Sequence, residues 1–507
     1  MSMRITNFLI LLLSASASSL LATAQNEADA LRFSTLMPQG TARSMGYGSA
    51  VGAVGGDFTS IGVNPGGIGV YRNGEFTITP SLKLNSSNST YTGNATADNI
   101  TRFNINNLGL VFTNAAKGRS YKTSKWKAVS FGIGISRSAD FSNNYKYSGY
   151  NDSSSASEVF LVNAIKNPNE YENTATFAGL GYESYLIDYD QNVGYFKLAN
   201  HRTGLNQQKS IEEKGGINDI NFSFGGNYEE KLFIGATVGI PTLRYLREVT
   251  LREEDATSDP TNNFDYFEYK EKLKVTGTGI NLKLGFIYNF NKYIRGGVAF
   301  HTPTFYSMND IQDRSVISNT ETYKADLGDY SGPTTLVEAP TNEYRYSMIS
   351  PWRGVVSAAG IIGKHGFVSV DYEYVNYAST RYYFDAANDY FESEVNDSIK
   401  NMYKGAYNLR VGGEARFDIV MVRLGFGYYG NPYQDATMGS ATLSYSGGVG
   451  VRFDNIFIDL GFVHSESTRK EQPYSLAYDQ PIGNIWVPKA EIKNSMNNAA
   501  LTFGVKF

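Results

Sequence analysis

The chain has 507 residues, no cysteine and a formal net charge of −4. The lack of cysteine excludes disulfides and thiolate metal sites, and so mild a charge argues against a nucleic-acid partner. Mean hydropathy is −0.31, and no stretch approaches the ~18 consecutive apolar residues of a spanning helix. Aromatic residues are 14% of the chain, led by 37 Tyr and 30 Phe, which suits the girdles of a membrane β-barrel.

At the N-terminus, Arg4 supplies a positive charge, Phe8–Leu13 an apolar run, and Ala22-Thr23-Ala24 an A-x-A cleavage site. Residues 1–24 are therefore expected to be an export signal, with the mature chain starting at Gln25. The apolar run is too short, and too interrupted by serine, to anchor a membrane. Residues 25–74 do not alternate. They are glycine-rich and weakly charged, with one short helical possibility over Thr41–Val54 and a tight turn at Asn64-Pro65-Gly66-Gly67. About fifty such residues cannot build their own core. Packed against the inner wall of a barrel, the small side chains would form a hatch.

From about residue 75 the sequence alternates between apolar and small or polar residues, as strands with one apolar face do. Ile456, Ile458, Leu460 and Phe462 oppose Asp459 and Gly461; Val420, Val422, Leu424 and Phe426 oppose Arg423 and Gly425. Charges on the inward face (Asp371, Glu373, Arg423, Asp459) would be costly in a dry sandwich core and cheap against a wet lumen. The pattern predicts an all-β transmembrane antiparallel barrel over residues 75–507. Fourteen strands are expected near 75–84, 103–114, 126–139, 217–228, 231–241, 276–290, 293–303, 352–363, 366–377, 405–417, 419–429, 441–453, 455–465 and 498–507.

Short turns at Glu229-Glu230, Asn291-Lys292, Lys364-His365, Asp418 and Asp454-Asn455 are expected on the periplasmic side. Long extracellular loops are expected over 140–216, 242–275, 304–350, 377–404, 430–440 and 466–496. The loop at 140–216 holds the one convincing helical patch. There Ser157-Glu158 reads as the cap, Val159, Phe160, Val162 and Ile165 as the apolar face, and Asn167-Pro168 as the stop. That face serves either the loop's own packing or an apolar ligand's landing. The last strand sets Ala499, Leu501, Phe503, Val505 and Phe507 on one face. Its terminal aromatic is expected to be read by the outer-membrane barrel assembly machinery.

The stretch Gly40-Thr41-Ala42-Arg43-Ser44-Met45-Gly46-Tyr47-Gly48-Ser49-Ala50, then Asp57-Phe58-Thr59-Ser60, then Asn64-Pro65-Gly66-Gly67-Ile68 resembles the hatch of the FadL/TodX-type outer-membrane transporters. Gly66 stands where alanine is usual. The segments Gly277–Pro303 and Ser350–Ser379 are also similar to barrel strands of that family. The resemblance implies fourteen strands and passive passage of a hydrophobic molecule. Such a ligand, a long-chain fatty acid or an aromatic hydrocarbon, is captured by extracellular loops and released when the hatch rearranges. In the best-studied members it leaves sideways, where a kinked strand opens the wall. It also implies a hatch function for Gly40, Ala42, Gly46, Asp57, Asn64, Pro65 and Gly66.

A basic lumen group could orient a carboxylate ligand. The candidates are Arg102, Arg295, Arg410 and Arg423, with Lys283 and Arg452 as further lumen cations. Each has a competing structural role, a salt bridge to Asp371, Glu373, Glu414 or Asp459. A different function is also open, that of an outer-membrane barrel of the same fold acting as a protein secretion or assembly partner. An enzyme is not expected: of four histidines, His201 lies in a long loop and His365 in a short turn, and no nucleophile-His-carboxylate spacing surrounds His301 or His464. No metal cluster or cofactor motif appears. The expected partners are a lipophilic ligand and outer-membrane lipid, with no nucleic acid.

Overall fold

Along the next-to-last strand, Ile456, Ile458, Leu460 and Phe462 are exposed, while Phe457 and Asp459 between them are buried. A soluble sheet would bury the first set. Only an apolar surround outside and a packed interior make this distribution stable. The structure, a computed structural model, describes residues 27–37, 39–257, 259–323, 332–384, 389–476 and 485–507. The expected export signal and its cleavage site lie outside them.

The barrel strands are β1 (Glu75–Tyr91), β2 (Asn94–Ala115), β3 (Trp126–Asp140, resuming at Asn143–Asn151) and β4 (Leu205–Tyr228). Next come β5 (Leu232–Asp255), β6 (Tyr266–Asn289), β7 (Ile294–His301, resuming at Phe305–Asn319) and β8 (Asn342–Ile349, resuming at Arg353–Ile361). The wall is completed by β9 (Gly366–Asn376), β10 (Gly405–Phe417), β11 (Val420–Tyr429), β12 (Thr442–Phe453), β13 (Ile456–Glu471) and β14 (Ala490–Lys506). Each pairs antiparallel with the next, and β14 pairs back to β1 from Glu75↔Lys506 to Thr90↔Glu491. The sheet is thus a closed fourteen-stranded antiparallel barrel. Among the described residues no helix is long and apolar enough to cross a membrane; the crossing elements are strands.

The long connections correct the sequence reading. The β5–β6 ladder runs on to Glu254↔Tyr266, so most of 242–275 is strand. The β1–β2 hairpin likewise continues past the expected ends to a tight turn at Thr92-Gly93, where φ is 45° and 86°. In these extensions the alternation keeps its phase but exchanges chemistry: Arg244 points out and is exposed, whereas Leu243, Tyr245, Leu273 and Val275 are buried inside. A search for outward apolar residues does not register such strands.

The helices also differ from expectation. Ser157–Lys166 is helical and ends at Asn167, but its N-cap is Ala156 rather than Ser157. The missing cap is replaced from a distance, as Glu253 on β5 accepts from the Ala156 backbone N at 2.6 Å. Two more helices, Phe177–Glu183 and Asp389–Met402, were not anticipated. The helical possibility over Thr41–Val54 shrinks to Ala42–Gly46, because Gly48 and Ser49 adopt left-handed φ of 71° and 56°. The expected Asn64-Pro65-Gly66-Gly67 turn is the start of a 3₁₀ helix, Pro65–Val70, with Asn64 as its cap.

Candidate functional site: an apolar chamber above a glycine-cradled hatch

Residues 40–70 lie against the inward faces of strands around the barrel. The contact is close because the wall offers glycine where the hatch backbone passes. A Cβ at Gly235 would meet Pro65 O at 2.2 Å, at Gly285 Asn64 Oδ1 at 2.1 Å, and at Gly412 Tyr47 O at 2.0 Å. The hatch residues named from the sequence form one connected set. Asp57 accepts from Thr41 Oγ1 (2.8 and 3.0 Å) and from Thr59 N (2.9 Å). Thr41 caps the helix that begins at Ala42, and Ala42 N donates to Thr502 Oγ1 on β14 at 2.7 Å. Gly40 has no room for a side chain, as its Cβ would overlap Thr59, and Gly46 lies against Gly448 of β12.

Asn64 bonds both within the hatch and to the wall. Its Nδ2 donates to Gly52 O (2.6 Å) and to Phe286 O on β6 (3.1 Å), and its Oδ1 accepts from Gly66 N (3.0 Å). It fastens the hatch to itself and to the wall. Replacing it with alanine strands these buried groups, at about 1–3 kcal/mol each for the worst-placed. Asn64→Ala is therefore expected to lower thermal stability and raise leakage of a small polar dye in reconstituted vesicles. A normal melting temperature with unchanged leakage would refute the assignment.

The candidate cations are dispersed. Arg410 faces Asp371 at 3.6 Å and Glu373 at 3.4 Å; Arg423 faces Glu414 and Asp459, both at 2.7 Å. The Arg423–Asp459 contact is an ion pair without good hydrogen-bond alignment. Lys283 pairs with Asp219 at 3.0 Å. Arg295 donates to Val54 O of the hatch at 3.0 Å. With Arg43, Arg72, Lys364, Arg416 and Lys506 it lines a basic cavity of about 360 Å³ at the short-turn end. Arg102 sits opposite Lys83 on β1 and forms no ion pair among the described residues. Arg452 lies 5.4 Å from the Phe457 ring. The hatch adds a cation of its own: Arg43 clasps Glu414 at 2.9 and 3.2 Å. Burial opposes its charge most strongly, but Glu414 with Tyr47 and Asp57 together outweigh that and hold the guanidinium above its ordinary value.

Above the hatch one part of the lumen is apolar. Leu243 and Tyr245 on β5, Leu273 and Val275 on β6, and Tyr306 and Met308 on β7 form one buried cluster with residues of β8–β10 and the Asp389–Met402 helix. Its centre is occupied by the chain's own N-terminal helix, Glu27–Ser34. Phe33 packs 5.7 Å from both Phe141 and Tyr245, while Arg32 reaches Glu213 at 2.8 Å. Arg353 donates to Ser34 O, and Tyr403 donates to Glu27 O at 2.9 Å. Sequence reasoning missed this chamber. Its signal is the inward apolar pairs Leu243/Tyr245 and Leu273/Val275 beyond the lipid-facing run.

Over the mouth, the Ser157–Lys166 and Phe177–Glu183 helices bury Phe160, Leu161, Ala164 and Leu180 against Leu251, Phe267 and Val316 of the strand tips. Of the expected apolar face, Ile165 is exposed, whereas Phe160 and Val162 are buried and Val159 is partly buried against the loop's own packing. Beneath it, Glu158 is buried, with Lys197 Nζ at 3.0 Å and His201 Nδ1 at 3.1 Å. Burial, then Lys197, pushes the His201 imidazole below its ordinary value, and its Nδ1 lies 2.9 Å from Lys197 Nζ.

Among the described residues the wall is interrupted between β2 and β3. β2 pairs with β3 only from Ala115↔Ala128 to Asn107↔Ser136, although β2 continues to Asn94. There β3 is bent by a bulge between Arg137 and Ala139 and breaks at Phe141-Ser142. The freed β3 edge is covered by the hatch: Met37 N donates to Ser138 O (3.0 Å) and Gln39 N to Arg137 O (3.3 Å). Behind it is a cavity of about 60 Å³, touched by Leu36, Phe58, Asn107, Ser136, Arg137 and Arg353. Its lining includes Leu36, which packs on the apolar cluster, and Asn107 and Ser136, the last paired residues of β2 and β3. His301 closes its rear, with Nε2 2.8 Å from Val63 O.

A closed fourteen-stranded barrel whose lumen is filled by its own N-terminal segment is a defined class of channel fold. Two solved structures of that class align over nearly their whole length. One is a Pseudomonas aeruginosa FadL homologue, at 12% identity over 92% of this chain and 99% of that one, with a TM-score of 0.54. The other is the P. putida toluene transporter TodX, at 13% identity over 91% and 99%, with a TM-score of 0.51. The fold is therefore that of the FadL/TodX-type channels. No protein-family model matches the sequence, and a comparison with curated proteins gave no match.

Proposed function

We propose that this protein is an outer-membrane channel for the passive passage of small hydrophobic molecules, such as long-chain fatty acids or aromatic hydrocarbons. The observation that carries the reading is the apolar luminal chamber, plugged by the chain's own N-terminal helix and adjoining the interrupted β2–β3 ladder. A purely water-conducting pore has no use for such a lining. The ligand enters beneath the loop helices, displaces the Glu27–Ser34 helix, and leaves through the gap once the Met37–Gln39 segment releases β3. Sideways exit is downhill for an apolar solute, which gains about 25 cal/mol per Å² by staying out of water.

The test compares the mature chain with a variant lacking residues 25–34, by native mass spectrometry of co-purified molecules and by uptake of labelled toluene and oleate. Freeing the chamber is expected to raise ligand occupancy. A ligand-free, steadily ion-conducting pore in both forms would refute the reading. A deletion strain with normal uptake but blocked export of surface proteins would favour the secretion-partner role instead.

A further inference from the structure

The cavity between hatch and wall at the short-turn end, about 360 Å³, is of small-ligand size. Its lining sets six cations against one carboxylate, Glu414, within a chain of net charge −4. Three of the six have acidic partners: Arg43 binds Glu414, Arg72 binds Glu230, and Lys506 lies 3.8 Å from Glu75. Glu414 is itself shared, because Arg423 also holds it at 2.7 Å. The other three, Arg295, Lys364 and Arg416, take part in no ion pair among the described residues. Arg295 donates to Val54 O and Arg416 to Asp418 O, both at 3.0 Å. Asp418 is exposed and is not part of the lining. Even with Glu75 and Glu230 counted, the six cations meet only three carboxylates.

The three unpaired cations converge because the strands that carry them are neighbours. Arg295 stands at the foot of β7, opposite Ala359 of β8, and reaches the hatch at Val54. Lys364 lies in the turn from β8 to β9. Arg416 is at the foot of β10, where its backbone N donates to His365 O of that turn at 2.7 Å. All three belong to the wall. The hatch brings Arg43 and Arg72 to the same cavity, so cations face one another across the boundary between the two.

A cleft lined by charges of one sign raises the local concentration of the opposite ion. Guanidinium forks and an ammonium group together suit a phosphate, which offers several acceptor oxygens and more than one negative charge. A monovalent ion would leave most of the excess charge in place. We propose that Arg295, Lys364 and Arg416 bind a multivalent oxyanion of the phosphate class, and that this ion latches the hatch to the wall. Held by the wall cations, the ion also attracts Arg43 and Arg72 on the hatch. Without it the same charges repel, and the hatch is easier to release. The proposal goes beyond the channel reading, since it concerns what keeps the hatch seated whatever molecule is carried.

The experiment uses the full mature chain in detergent, with phosphate, acetate and chloride as probes at equal ionic strength. Calorimetry compares the unmodified chain with Lys364→Gln/Arg416→Gln, which alters two exposed side chains. The charge-matched control is Lys117→Gln/Lys122→Gln, also exposed, on the β2–β3 turn. Phosphate binding is expected to weaken at least about tenfold, equivalent to 1.4 kcal/mol, in the first variant only. Equal phosphate binding by both variants, or equal binding of phosphate and acetate by the unmodified chain, would overturn the site. Glycerol 3-phosphate is run beside inorganic phosphate; the tighter of the two identifies an ester or the free ion as the source, and either result supports the site. In reconstituted vesicles, phosphate is expected to reduce leakage of a small uncharged dye through the unmodified chain and the control, but not through Lys364→Gln/Arg416→Gln. Normal phosphate binding with leakage that phosphate does not change would overturn the latch. No hydrophobic ligand enters either assay, so failure here is distinct from failure of the transport reading.

Discussion

Joining Gln39 to Arg137 by a disulfide, in the variant Gln39→Cys/Arg137→Cys, is expected to stop uptake of hydrophobic compounds until reductant is added. The two residues form an isolated antiparallel bridge between the hatch and β3. Such pairs hold their Cα atoms about 4.5–5.5 Å apart, within disulfide reach. The chain has no native cysteine, so mispairing is excluded. Two backbone hydrogen bonds now hold this segment over the open stretch of β3, and a covalent bond would replace an easily broken contact with a permanent one. If release of this segment is the gating step, uptake falls at least about tenfold when oxidised and recovers when reduced, as for a lid that must open. Full disulfide formation, verified by mass, together with normal uptake would remove both the gap and this part of the hatch from the route.

Arg423→Met is expected to be among the most destabilising single substitutions in the barrel. The side chains of Arg423 and Asp459 are both 0% accessible, and Arg423 is the cation that neutralises Asp459. Glu414 keeps Arg43 as a second close partner, whereas Arg43 and Arg452 act on Asp459 only from farther away and Arg423 is its one ion pair within 4 Å among the described residues. Stranding a buried charge in this way costs about 3–5 kcal/mol. The readout is the urea midpoint in detergent, together with the heat-modifiable mobility of the folded barrel. Adding Asp459→Asn removes the stranded charge and is expected to recover most of the loss. A ligand-orienting role for Arg423 predicts the reverse: unchanged stability, weaker uptake of a carboxylate ligand, and no rescue by Asp459→Asn.

The lower barrel was legible because lipid imposes one rule on every strand. Ile456, Ile458, Leu460 and Phe462 must be apolar whatever strand lies beside them, so local alternation located the wall and its number of strands. Glu229-Glu230 and Asp454-Asn455 were legible for a similar reason, since a tight turn constrains only its own few residues. The upper barrel obeys no such rule. Arg244, Lys272 and Lys274 face water and a polar rim, where many residue types serve, and the strand signal fell below what a lipid-facing pattern reveals. The Asp389–Met402 helix was lost for a related reason. Its apolar contacts, Val395 and Ile399, point into a chamber that exists only once β5–β10 have closed around it.

The site residues divide along the same line. Gly40, Asp57, Asn64 and Pro65 form a local pattern, and their mutual bonds span at most 18 residues of sequence; sequence could therefore mark them as a unit. Arg410 and Arg423 were visible as inward charges, but their partners could not be ranked. Proximity within the lumen depends on strand register and on the path of the hatch, neither of which is encoded within a single segment. By itself the sequence determined the membrane-facing surface, the even strand number and the presence of a glycine-rich segment made to lie against a wall. Tertiary structure alone decided that Phe33 plugs the apolar chamber and that Gln39 covers the β3 edge freed beside β2. Each of these is a meeting between residues far apart in the chain, fixed by barrel closure rather than by local preference.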